Sequence, residues 1–276
     1  MRVSVQLPEP CCVGETLPLS DAAPIPGADA REALALGRDD VDVWLCFYET
    51  LDSPEWRRSF AALLTPEERA RHDRLGSPLQ QLEHLAAAAL CRHALSRYAT
   101  VDPAAWRFMR GEHGKPHISG PLVEPPLWFN LSGTRGLVAC AVSRGSPAIG
   151  VDVETIEPTT DMLDVAAQFF STGEVEALSG LAPEEQPGRF FTLWTLKEAY
   201  VKARGLGIAA VSLPDIAFAL AADGCIGLSV APSLGDEPAG WRFASLKVSA
   251  DHLLAVAVRL PAAARLRLRV GVWAPE

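Results

Sequence analysis

The sequence predicts an α+β fold made of two similar halves, and three observations carry that prediction. Segments that alternate with period two are separated by segments of helical periodicity with clear start and stop signals. One order of elements, a short capped helix, a long helix and paired strands, occurs twice along the chain. With 276 residues, 49% hydrophobic and 21% charged, the composition is that of an ordinary globular protein with ample length for a core.

Residues 1–40 are rich in Pro, Ala and Gly without a clear period, which predicts a loosely ordered extension or one draped over the surface. "VDVWLCFYE" (41–49) alternates as a strand does. In "TPEERARHDRL" Thr65 is a good N-cap, Pro66 stands at the first helical position, and Glu68 completes a capping box. An Ala- and Leu-rich helix over 79–98 follows, buried on much of its circumference. "WRFMRGEHGKPHI" reads as strand, turn, strand, and "LWFNLSGTRGLVACAVSRG" as two strands around a Ser-Gly-Thr turn. Past a join near 143–148, "QFFSTGEVEALSGL" matches the capped helix and "RFFTLWTLKEAYVKARG" the long one. "DIAFALAADGCIGL" and "WRFASLKVSADHLLAVAVRL" match the paired strands. The tail "ARLRLRV" alternates as an edge strand with one wet face would. The expected organisation is an extension 1–40, an N-terminal half 41–145 and a C-terminal half 146–276.

Charge and hydropathy exclude several classes. A net charge of −9 with no long basic run argues against nucleic acid as a partner. The most basic stretch, "RARHDRL" (69–75), suits a small anionic ligand. No apolar run approaches the ~18 residues needed to span a bilayer, and the N-terminus lacks an apolar signal core. A cytoplasmic protein without membrane contact is expected. The six cysteines show no C-x-x-C spacing and read as reduced, mostly buried thiols rather than a zinc site.

Chemistry concentrates in three stretches. In "WTLKEAYVKARG" (194–205) Trp194, Glu198 and Lys202 recur at steps of four, so they stack on one helix face, with Gly205 as C-cap. Spacing alone is satisfied by an exposed Glu→Lys pair contributing about 0.2–0.5 kcal/mol. Only four of the 25 basic residues are lysines, however: Lys115, Lys197, Lys202 and Lys247. A chain this rich in Arg has a chemical reason to place Lys where a proton must be released. In "AIGVDVE" (148–154) a strand puts Ile149, Val151 and Val153 on one face and Gly150, Asp152 and Glu154 on the other. Two carboxylates on one face repel unless solvent or a cation neutralises them. Hard oxygen donors without His or Cys favour Mg²⁺ or Mn²⁺. Together with Lys202 and the Lys115 of "GKP", this set suits a metal-bridged pyrophosphate.

"GKPHI", "FNLSGT", "IGVDVE" and "FFTLWTLKEAYVKARGLGI" resemble, in order and spacing, the motifs of the 4′-phosphopantetheinyl transferases. The likeness is to the long, surfactin-synthetase-activating class and covers roughly 44–260. The ordered pair G-[IV]-D-[IV]-E and W-x-x-K-E-x-x-x-K makes it specific. The resemblance implies a pseudo-two-fold arrangement of the halves with the active site at their interface, so that a monomer suffices. It implies transfer of the phosphopantetheine arm of coenzyme A to a serine of an apo acyl or peptidyl carrier protein, releasing 3′,5′-ADP. Asp152, Glu154 and Glu198 would hold Mg²⁺, with Glu198 or a metal-bound water taking the serine proton and Lys202 meeting the leaving group. Lys115 and Ser132 would bind coenzyme A phosphates, and Arg69 and Arg71 the outer, 3′-phosphate end. The nucleophile comes from the partner, so no Ser-His-Asp signature is needed. Arg-bearing loops at 188–189 and 204–206 are candidate contacts for the acidic carrier.

Two positions depart from the family pattern. Gly133 stands where the family has a His that contacts a coenzyme A phosphate, and the loss is about 1.5–3 kcal/mol if unreplaced. The Gly133 N–H, the Thr134 hydroxyl or Arg135 are candidate replacements. An Arg expected early in the long helix is absent, with Glu83 and His84 near its place. Weaker coenzyme A binding is the expectation. The alternative is a catalytically degenerate relative that binds carrier protein or coenzyme A without transfer. A generic Mg²⁺-dependent nucleotide enzyme is disfavoured by the absence of G-x-x-x-x-G-K-[ST] and G-x-G-x-x-G.

Overall fold

Matching capping boxes start equivalent helices in the two halves. In α2 (Pro66–His72) the Thr65 side chain accepts from the Glu68 amide while the Glu68 carboxylate accepts from the Thr65 amide; Ser171 and Glu174 repeat this at α5 (Thr172–Ser179). Each precedes a 19-residue helix, α3 (Pro78–Ser96) or α6 (Gln186–Arg204). Gly205 closes α6 in the left-handed region at φ 69°, the C-cap the sequence predicts. Two further helices, α1 (Pro54–Ala61) and α4 (Met162–Phe169), precede α2 and α5. These elements come from a computed structural model that describes residues 11–18, 23–25, 33–157, 160–207 and 210–275.

Among the described residues the strands form two large sheets and one hairpin. The first sheet runs β2 (Ala23–Pro24), β13 (Arg267–Val272), β3 (Asp40–Cys46), β7 (Leu137–Ser143), β6 (Trp128–Thr134). The second runs β8 (Ile149–Thr155), β12 (His252–Arg259), β11 (Trp241–Lys247), β1 (Cys11–Pro18), β10 (Cys225–Val230), β9 (Ile216–Leu220). The hairpin pairs β4 (Arg107–Arg110) with β5 (Pro116–Gly120). Val41, Val43 and Leu45 of β3 share a core with Val151 and Val153 of β8 and Leu254, Val256 and Val258 of β12, so the sheets bury one face against each other. Helix α3 covers the other face of the first sheet and α6 that of the second.

The structure departs from the sequence reading in five places. Strands β1 and β2 fall within 1–40, where no regular structure was expected; the rest of that expectation, at 1–10, 19–22 and 26–32, lies outside the described residues. Each sheet also takes a strand from beyond its half: β1 lies in the second sheet and β13 in the first. Strand β13 is not an edge, because it pairs with β3 on one side and β2 on the other. Its alternating arginines serve ion pairs, Arg267 to Asp40 at 2.7 Å and Arg269 to buried Asp42 at 2.6 Å. The Ser-Gly-Thr segment continues β6, and the reversal is Arg135–Gly136, with Gly136 at φ 83°. Finally, Cys46, Cys91 and Cys140 are free buried thiols, but Cys225 is disulfide-bonded, a pairing that spacing alone does not reveal.

Candidate active site at the seam of the two sheets

Gly150 sets how closely α6 approaches β8. A Cβ there would stand 2.0 Å from the Ala199 carbonyl oxygen and 2.5 Å from the Ala203 nitrogen, so only glycine lets the helix lie on the strand. This contact puts Glu198 and Lys202 over the strand face that carries Asp152 and Glu154. The Lys202 ammonium donates to Asp152 Oδ1 at 2.5 Å and to Ser132 Oγ at 3.0 Å, and lies 4.0 Å from the Glu198 carboxylate. Asp152 is 2% exposed, and its Oδ2 has no hydrogen-bond partner.

Burial raises the Asp152 carboxyl, against the opposing pull of Lys202 and Ser132. Glu154 is pushed up to about 7 by burial and by the charges of Asp152 and Glu198, with Lys202 and a hydrogen bond from Trp194 working the other way. Glu198 also rises to about 7, through burial and Asp152. Burial acts to lower Lys202, but the three carboxylates outweigh it and hold the ammonium above the ordinary lysine value.

Strand β6 closes the site from the other half. Asn130, Ser132 and Thr134 alternate along it, and each side-chain oxygen accepts from a β8 amide: Val151 at 2.8 Å, Val153 at 3.3 Å and Thr155 at 3.2 Å. The sheets therefore meet here through side chains rather than a backbone ladder. Ser132 Oγ also donates to Asp152 Oδ1 at 2.9 Å. Sequence reasoning singled out Ser132 and Thr134 but missed Asn130; the polar alternation N-x-S-x-T was its signal.

The remaining expected residues lie outside this cluster. The Lys115 ammonium donates to the carbonyls of Ile149 at 2.8 Å, Ala203 at 3.3 Å and Pro147 at 3.4 Å, bracing the β4–β5 hairpin against β8 and α6. Burial lowers it to about 8. Arg69 on α2 donates to the Ala61 carbonyl. Arg71 lines a cavity of about 490 Å³ with His84, Arg92, Arg107 and Arg110, and with Glu67 and Glu68, of which Glu68 pairs with Arg92 at 2.6 Å. Gly133 faces α3, where the Glu83 carboxylate fills the space a side chain would take. Trp194 stacks on Phe190 at 6.0 Å while reaching Glu154. Lys197 is structural: it is buried, pairs with Glu174 at 2.9 Å, and donates to the carbonyls of Leu213 and Ile216. Arg204, one of the candidate docking contacts, is held by Asp236 at 3.6 Å and the Leu234 carbonyl at 3.0 Å.

Whether these residues suit a cation turns on their chemistry. Among the described residues no three His, Cys, Asp or Glu groups converge on a metal point. The donors are nevertheless hard oxygens, Asp152 Oδ2 is orphaned in a buried site, and Glu154 and Glu198 are both raised, by burial first and by neighbouring carboxylates second. Added positive charge is what relieves all three. The chemistry of this donor set, hard carboxylate oxygens around a buried unpartnered one, suits Mg²⁺.

Comparison with known proteins gives one consistent family. The family model of the 4′-phosphopantetheinyl transferase superfamily matches residues 148–257. The chain is 35% identical over 226 residues to the 4′-phosphopantetheinyl transferase HetI of Nostoc sp., covering 82% of this chain and 90% of that protein. It is 32% identical over 168 residues to the transferase Sfp of Bacillus subtilis, covering 61% and 70%. A solved holo-(acyl-carrier-protein) synthase from Bacillus anthracis in complex with CoA (3′,5′-ADP) aligns at 23% identity and TM-score 0.34, over 41% of this chain and 96% of that one.

Proposed function

This chain belongs to the 4′-phosphopantetheinyl transferase superfamily, and from that premise we propose that it moves the phosphopantetheine arm of coenzyme A onto a serine of an apo acyl or peptidyl carrier protein. The observation that carries the reading is the Asp152–Ser132–Lys202–Glu198 cluster at the seam, in which one ammonium touches a buried carboxylate with a free oxygen. Asp152, Glu154 and Glu198 would hold Mg²⁺, which would supply positive charge to neutralise the diphosphate and polarise the phosphorus centre.

The chain's own residues do the rest. Glu198, one helical turn from Lys202 and beside Asp152, is placed to accept the proton of the incoming carrier serine. Lys202 keeps 28% of its side chain accessible, so it meets a ligand from solvent while Asp152 fixes its position. Held charged, it hydrogen-bonds the leaving phosphate oxygen of 3′,5′-ADP and can pass it a proton, which an Arg cannot. Ser132 orients both Asp152 and Lys202. Arg71, with Arg107 and Arg110 in the cavity beside α2, receives the outer phosphate end of coenzyme A. Lys115 acts by setting the β8–α6 contact.

The test is 3′,5′-ADP release from coenzyme A with an apo carrier, in Mg²⁺ and in EDTA. Wild type is expected to release product only in Mg²⁺. Lys202→Arg should lose at least about tenfold in kcat, and Asp152→Asn about 10²-fold or more, the size expected for groups acting on transition-state charge. Full activity in either variant would contradict these roles.

A further inference from the structure

The cavity between α2, α3 and the β4–β5 hairpin holds one side chain that the transfer reading leaves unused. His84 of α3 lines it, and its Nδ1 is buried with no hydrogen-bond partner. His72 of α2 lies beside it, the ring centroids 5.6 Å apart, and its Nδ1 is likewise buried and unpartnered. Around the two rings α2 presents Glu67, Glu68 and Arg71, α3 itself Arg92, and β4 Arg107 and Arg110 across the cavity. Strands β5 and β6 add only the uncharged Pro116, Phe129 and Leu131. Glu68 is committed to Arg92 at 2.6 Å and to the Thr65 amide at 2.9 Å, while Glu67 stands at the exposed start of α2. That leaves Arg71, Arg107, Arg110 and one imidazole facing a space with an excess of positive charge.

What such a set lacks is an acceptor, and a terminal phosphate supplies one, with about −1.5 to −2 charge on three oxygens. In the free site burial lowers the His84 imidazole below the ordinary histidine value, His72 and Arg71 lower it further, and Arg92 adds to them against Glu68. The ring is therefore neutral near neutral pH. A phosphate within about 4–6 Å reverses the balance, because opposite charge favours the imidazolium and gives it a strong acceptor. We infer that His84 is a binding residue for the outer, 3′-phosphate end of coenzyme A, which it holds as the imidazolium after taking up one proton from solvent as the phosphate enters. The inference rests on the reading above, which puts that end of the donor in this cavity. Donor binding is thereby linked to pH through a residue outside the carboxylate cluster. The His84 contribution grows as pH falls, since the bound state holds one more proton than the free one.

The experiment titrates 3′,5′-ADP and 5′-AMP into the full chain in Mg²⁺ by calorimetry, for wild type, His84→Gln and His72→Gln, at pH 6 and pH 8. Wild type should bind 3′,5′-ADP about tenfold more tightly than His84→Gln at pH 6, the scale of one charge-assisted hydrogen bond, and about equally at pH 8. The nucleotide 5′-AMP, which lacks the outer phosphate, should show no such difference, and His72→Gln should keep the fall in 3′,5′-ADP affinity with pH. In wild type alone, the His84 Cε1–H proton resonance should move to the imidazolium position when 3′,5′-ADP is added at pH 7. A wild-type to His84→Gln ratio that is the same at both pH values, an equal difference for 5′-AMP, loss of the pH dependence in His72→Gln, or a resonance that does not move overturns the inference. Transfer is measured apart, as the mass of an apo carrier. A chain that binds as described without transferring sinks only the transfer reading, and one that transfers without the His84 difference sinks only this inference.

Discussion

Lys202 and Lys115 carry the same charge into opposite duties. Lys202 sits among three carboxylates that hold its proton; Lys115 sits among backbone carbonyls, and burial lowers it to about 8. An unfolded lysine titrates near ~10.4. From about pH 8 to 10.4 the unfolded chain thus holds a proton that the folded chain has shed, and this group makes unfolding harder as pH rises. Thermal melts at pH 7.5 and 9.5 check this: the stability of wild type relative to Lys115→Met should grow at the higher pH, and a constant or shrinking difference contradicts it. The stacking of Glu198 and Lys202 was legible in the sequence because i,i+4 spacing on a helix is a local fact. The Glu83–Gly133 contact was not, since it joins an early helix to a strand 50 positions on, and only the packed structure places a carboxylate over that glycine. The motif around Lys115 says nothing of the three carbonyls it meets, because they come from segments far along the chain.

At the scale of elements, the active geometry depends on β8 and α6 touching backbone to backbone. Gly150→Ala should cost about 1–3 kcal/mol, because the atoms in its way are main chain and have nowhere soft to go. Urea denaturation measures it, with Gly173→Ala as control; that position has nothing within 4 Å and lies in α5, where Ala is the better helix former. Equal midpoints for wild type and Gly150→Ala would contradict the account. Both capping boxes and both long helices were readable, since each writes its signal within a few residues. The Ser-Gly-Thr segment was misread as a turn because its residue types favour turns, whereas its alternation serves the β6–β8 seam. The ends of the chain were misjudged for a related reason: β1 and β13 are placed by partners more than 200 residues away, in sheets that no local pattern announces.

The molecule as a whole is two sheets joined by a shared apolar core and latched at one margin by Asn130, Ser132 and Thr134. Each half alone lacks part of the site, because Ser132 comes from one and Asp152, Glu198 and Lys202 from the other. The central claim is that this seam transfers phosphopantetheine. Its most direct measurement is the intact mass of an apo carrier protein after incubation with coenzyme A, Mg²⁺ and the full chain. The account predicts a gain of one phosphopantetheine per carrier with wild type and none with Glu198→Ala. An unchanged carrier mass with folded wild type across fatty-acid, polyketide and nonribosomal-peptide carriers, or an equal gain with Glu198→Ala, would contradict it.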